Sequence, residues 1–71
     1  MSATLVVITD ARGYSVAFVR SRFIAATEWK RSADVVGEPD TTWTYVTIDG
    51  KGAPIELMMP LESFLRAFSA A

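Results

Sequence analysis

The chain has 71 residues, a formal net charge of −1, no cysteine and no histidine. That length holds one domain, and the missing residue types exclude disulfides, thiolate metal sites, and the commonest general base and transition-metal ligand. Apolar residues make up 51% of the chain, yet a domain this small buries only roughly 60% of its unfolded surface, so some apolar surface is expected to meet a second copy or a partner.

Charge is unevenly spread. Residues 1–35 carry five basic and three acidic side chains, and residues 36–71 carry two basic and five acidic ones. The asymmetry is too mild to argue for nucleic acid by itself. No stretch approaches the about 20 apolar residues that a membrane helix needs. Met1 to Ile8 has neither a basic segment nor a cleavage site, so a cytoplasmic location is expected.

Thr4 to Thr9 holds the run Leu5-Val6-Val7-Ile8. It is β-branched and too short for a helix, which predicts a first strand. The unbroken apolar run predicts cover on both of its faces. Asp10-Ala11-Arg12-Gly13 reads as a turn. Tyr14 to Arg20 alternates, with Tyr14, Val16 and Phe18 on one face, which predicts a second strand paired antiparallel to the first. Ser21-Arg22-Phe23 interrupts the alternation, and the pair Phe23-Ile24 predicts a bulge or a single helical turn. Ile24 to Lys30 is read as strand over a short helix, with Ile24, Ala26 and Glu28 sharing a face.

Arg31 to Thr41 contains Gly37, Pro39 and three acidic residues, and is read as a flexible loop. Thr42 to Asp49 alternates strictly, with Trp43, Tyr45 and Thr47 on one face and Thr44, Val46 and Ile48 on the other. Asp49-Gly50 signals a hairpin, and Ala53 to Met59 completes it with Ile55, Leu57 and Met59 inward. Pro60 suits the first helical position. Leu61, Phe64, Leu65 and Phe68 then form one apolar stripe, with Glu62 and Arg66 four apart. A helix of about two turns is marginal alone and has to dock on the sheet. Sequence leaves open which sheet face it covers.

Asp49, Glu56 and Glu62 could be imagined as a carboxylate cluster, but each has a plain local reason: a turn, a strand surface, a helix start. Asp49-Gly50-Lys51-Gly52 lacks the spacing and following helix of a phosphate loop. The arginines and lysine interleaved with Tyr14, Phe18, Phe23 and Trp29 have the composition of a single-strand-binding surface. The favoured reading is the plain one: the aromatics are core or interface, and the charges are solvated guards on the sheet edges.

The order of elements resembles the small flagellar FlbD-like family and similar short bacterial or phage accessory proteins. The residues that carry the resemblance are Gly13, Val16, Ile24, Glu28, Thr44, Val46, Ile48, Asp49-Gly50, Ile55, Leu57 and the stripe from Leu61 to Phe68. The family has a tight loop where this chain has Arg31 to Thr41, and Glu-Ser where it has Met59-Pro60. The resemblance implies a sheet-plus-helix accessory protein without a catalytic site.

The expected fold is α+β: a small antiparallel meander of four to five strands with one short C-terminal helix on a sheet face. The expected function is a non-enzymatic protein-interaction module, a homo-oligomeric accessory or regulatory protein that binds another protein and needs no cofactor. The residues expected to form its surface are Trp29, Trp43, Tyr45, Arg20 and Arg22. The alternative is a small nucleic-acid-binding sheet using arginine and aromatic side chains.

Overall fold

A computed structural model describes residues 4–33 and 35–70; Asp34, within the expected loop, lies outside the described residues. The chain is α+β, with five antiparallel strands and a C-terminal helix. The strands are β1 (Leu5–Thr9), β2 (Ser15–Val19), β3 (Phe23–Arg31), β4 (Thr41–Ile48) and β5 (Ile55–Leu57), followed by α1 (Leu61–Ala70). The 24–30 stretch is strand throughout. The strands divide between two sheets, β1-β2 and β3-β4-β5. The break falls at Arg20–Arg22, a single 3-10 turn that turns the chain a corner between β2 and β3.

Both tight turns rest on glycine. Gly13 has φ +82° and Gly50 has φ +85°, left-handed values that glycine alone adopts without a Cβ penalty. Asp10 shapes the first turn: its Oδ1 accepts the backbone N–H groups of Arg12 at 2.9 Å and Tyr14 at 3.0 Å.

A bulge follows the corner. Phe23 pairs with Ile48 but Ala25 pairs with Thr47, leaving Ile24 as the extra residue. Strict alternation cannot place residues 23 and 26 on one face. The bulge does so, and Phe23 and Ala26 both pack against the core. Ile24, expected to face the same way as Ala26, is exposed instead.

The core lies between the two sheets and the helix. Val6 and Ile8 of β1, Phe18 of β2, Val46 and Ile48 of β4, Leu57, Met59 and Phe64 are buried there. The helix thus covers the Thr44–Val46–Ile48 face of β4. Phe64 and Phe68 meet Phe23, with ring centroids 5.9 and 4.7 Å away, and Phe68 stacks on Phe18 at 6.3 Å. The helical stripe is Leu61, Phe64, Ala67 and Phe68. Leu65 turns outward, because the helix sits on its 61–64–68 line rather than on the 65 side.

Each helix end is held by a side chain of complementary charge, one from β3 and one from the 3-10 corner. Pro60 accepts the first helical bond from Phe64 N–H, so it stands one position before the expected one and the helix begins at Leu61. Glu28 of β3 reaches across to accept the Leu61 N–H at 2.9 Å. Arg20 donates to the Phe68 carbonyl at 2.8 Å and lies over the Phe68 ring. These partners satisfy orphan backbone groups and oppose the helix dipole. Glu28→Ala is expected to lower stability by about 1 kcal/mol; a urea midpoint equal to that of wild type would contradict the cap.

Two features depart from simple burial. The apolar run of β1 is covered on one face only: Leu5 and Val7 are 62% and 61% exposed. The strand alternates as any half-buried strand does, so its outer face has no cover among the described residues. The molecule is also elongated, measuring 51 × 25 × 17 Å with a radius of gyration of 13.3 Å, against about 11 Å for a compact chain of this length. The reason is that β5 pairs only with Thr44–Val46. The β3–β4 hairpin therefore runs on past it, through Trp29–Trp43 to Arg31–Thr41, as a two-stranded arm.

Candidate interaction surface

Register decides which side chains share the face opposite the helix. Trp29 lies directly across from Trp43, Thr27 from Tyr45, Arg31 from Thr41, and Tyr45 from Glu56. Residues opposite one another in an antiparallel pair point the same way. One open face therefore collects Trp29, Arg31, Trp43, Tyr45 and Glu56, and both tryptophans of the chain are on it. Trp29 stacks diagonally on Tyr45 with centroids 6.4 Å apart, and is 56% exposed.

Two arginines order this face. Arg31 donates to the Tyr45 hydroxyl through Nε at 3.1 Å and Nη2 at 2.6 Å, and it pairs with the Glu56 carboxylate. The Tyr45 hydroxyl above all, with Glu56 adding to it, raises the Arg31 pKa above its ordinary value and outweighs the opposing effect of burial. The Arg31 guanidinium carbon lies 4.2 Å from the centre of Trp43. Arg12, from the β1–β2 turn, lies 4.8 Å from the same ring and 5.2 Å from Tyr14. Guanidinium groups at such distances are attracted to the ring faces. Trp43 is fixed further by its Nε1–H bond to Thr41 Oγ1 at 2.9 Å.

Arg12 is held in turn by Asp10, the most buried acidic residue described. The second oxygen of Asp10 accepts the Arg12 Nε–H at 2.8 Å and the Met58 N–H at 3.0 Å. Ala11 N–H donates back to the Met58 carbonyl at 3.0 Å, and Arg12 reaches the Glu56 carbonyl at 3.2 Å. This knot ties the β1–β2 turn to β5. Burial opposes the Asp10 charge, but the bonds from Met58, Arg12 and Tyr14 outweigh it and pull the pKa down to about 2.

Trp29, Trp43 and Tyr45 are thus brought together, whereas Arg20 and Arg22 are not with them. Arg20 is committed to the helix end, and Arg22 sits at the 3-10 corner with its guanidinium near Gly50. Arg31 and Arg12 occupy the places beside the aromatics instead. Alternation from Trp29 reaches Arg31 two residues on, a signal present in the sequence. Only tertiary contact brings Arg12 there. Asp49, Glu56 and Glu62 do not converge. Glu62 pairs with Arg66 at 3.1 Å, and among the described residues no group of three metal-ligating side chains forms.

The chain matches no family model, no curated protein and no solved structure. Among the described residues no helix is long and apolar enough to cross a membrane.

Proposed function

We propose that the chain is a non-enzymatic protein-interaction module that self-associates through its open aromatic sheet face, and that it serves as a small accessory or regulatory protein by binding other proteins there. The observation that carries this reading is the Trp29–Trp43–Tyr45 face. It is aromatic, ordered by Arg12 and Arg31, and left open because the helix covers the opposite side of β4. Tryptophan, tyrosine and arginine are the residue types that dominate binding energy at protein interfaces. Exposed Leu5 and Val7 add a second uncovered apolar strip, which fits a chain whose apolar content exceeds what its own interior holds. An origin in a bacterium or phage, and a cytoplasmic setting, agree with the size and the resemblance described above.

A single-stranded nucleic-acid surface is the competing reading. Arg12, Arg31 and Tyr14 beside Trp43 speak for it. Against it, the space around the Trp43 ring where a base would stack is occupied by the chain's own guanidinium groups, both arginines already hold carboxylates, and the net charge is −1.

Trp29→Asp tests the protein-interaction reading. Trp29 is exposed, so folding stability is expected to change by less than about 1 kcal/mol. Self-association measured by light scattering across micromolar concentrations is expected to weaken about 30-fold or more, as for an interface hot spot. An unchanged association constant would sink the reading. A labelled oligonucleotide retarded by the wild-type chain at low salt, and released steeply as salt rises, would favour the competitor.

A further inference from the structure

A cleft of about 620 Å³ opens between β2 and β5, the strands that end the two sheets on this side. Its lining includes Arg12, Arg31 and Lys51, with Glu56 the one carboxylate among them and already engaged by Arg31. Arg12 is likewise held by Asp10, which leaves Lys51 as the lining cation with no ion pair among the described residues. Its β5 wall is engaged by Arg12 at the Glu56 carbonyl, whereas its β2 wall is a strand edge with no ladder partner among the described residues. The β1–β2 ladder shows this for β2: the Arg20–Thr4 and Asp10–Tyr14 bonds fix the alternation, so the backbone groups of Ser15 and Ala17 point away from β1.

The tip of the β3–β4 arm has the opposite character. From Ser32 to Asp40 the sequence holds no basic residue. Among the described residues of the tip, Glu38 and Asp40 are acidic and exposed, Val35 is exposed, and Val36 is fully exposed. None of residues 35–40 lines the cleft of its own chain. The ion pairs among the described residues, Asp10–Arg12, Arg31–Glu56 and Glu62–Arg66, use neither Glu38 nor Lys51. One chain thus presents an acidic, valine-bearing projection and a cleft that sets Lys51 beside the open edge of β2.

We infer that the arm tip of one copy, residues 35–40, seats in the β2–β5 cleft of a second copy, with Glu38 directed to Lys51 and the valines covering Tyr14 and Ala17. The contact occurs twice around a two-fold axis. The two arms lie side by side with their Trp29–Tyr45 faces together, and each tip reaches the cleft beside the other arm's base. A reciprocal contact of this kind closes at the dimer and does not propagate. The inference rests on the self-association proposed above and adds to it which segments meet.

Charge exchange tests it. Glu38→Lys and Lys51→Glu alter exposed side chains that form no ion pair among the described residues, so both variants are expected to keep the wild-type circular dichroism spectrum. Each alone is expected to weaken the dimer roughly five- to tenfold in sedimentation equilibrium, because it sets like charges against each other across the interface. The double variant is expected to recover most of the wild-type constant. Val36→Asp is expected to weaken it roughly tenfold or more, since the buried valine is worth about 1.5 kcal/mol or more. A dimer that ignores all three single substitutions overturns the arm-in-cleft contact and leaves self-association through the aromatic face standing. A wild-type chain that stays monomeric overturns both.

Discussion

Phe64→Ala is expected to lower stability by about 3–5 kcal/mol. Phe64 is completely buried, and its ring meets both Phe23 and Phe68. It is also the helix residue that seals the space between the two sheets, so truncation leaves a cavity that neither sheet can close without moving α1. A domain of this size sits near the low end of the roughly 5–15 kcal/mol that natural domains possess. The variant is therefore expected to be largely unfolded at body temperature and to show a sharply reduced urea midpoint at room temperature. A loss under about 1 kcal/mol would mean that the helix does not hold the core as described. Leu65→Ala serves as the contrast. Leu65 lies on the same helix but faces outward, so a stability change within about 0.5 kcal/mol is expected.

Asp10→Ala is the second large effect, about 2–4 kcal/mol. Asp10 accepts four hydrogen bonds, from the Arg12 backbone, the Arg12 side chain, Tyr14 and Met58. Its removal leaves four part-buried donors without their acceptor and frees the turn from β5, and bonds to a charged group are the costly ones to lose. The carboxylate also gives the effect a pH signature. Its pKa is lowered from the ordinary 3.8 to about 2 in the fold, so the unfolded chain takes up the proton first as pH falls. The stabilisation is complete above about pH 4 and fades as pH falls through about 2. Wild type is expected to lose stability between those values, and Asp10→Ala to show a flatter profile there. Parallel slopes for the two proteins would contradict the buried, hydrogen-bonded carboxylate.

Much of the architecture was legible because local signals agreed. The β-branched run at Leu5–Ile8, the strict alternation of Thr42–Ile48, the Asp-Gly turn and the Leu-Phe stripe each pointed to the element that forms. The bulge was foreshadowed by Phe23-Ile24, though which of the two faces the core is settled only by the pairing with Ile48 and Thr47. The division into two sheets was not legible. A three-residue corner at Arg20–Arg22 has no composition that separates it from a simple kink. The face of β4 that the helix takes was open for a physical reason: both faces are apolar, and only the packing of Phe64 and Phe68 against Phe23 and Phe18 chooses between them.

The surface was half legible. Trp43 and Tyr45 share a face by alternation, and Trp29 joins them once β3 is a strand. Arg20 and Arg22 read as part of the interaction surface because they interleave with Phe18 and Phe23 in sequence, but those phenylalanines pack in the core and Arg20 goes with them to the helix end. Arg12 was hidden for the converse reason. It is a turn residue, and its place against Trp43 depends on the Asp10–Met58 tie, a contact 48 residues apart in sequence.

The most direct test of a surface that works by covering these aromatics is intrinsic tryptophan emission followed over a dilution series. Both tryptophans lie on the open face, so no other part of the chain contributes to the signal. The expected result is a blue-shifted spectrum at high concentration that moves to longer wavelength on dilution, in step with the fall in mass seen by light scattering, as Trp29 regains water. A spectrum that stays constant while the mass halves would place the contact elsewhere on the molecule. A constant spectrum at constant monomer mass would remove self-association altogether.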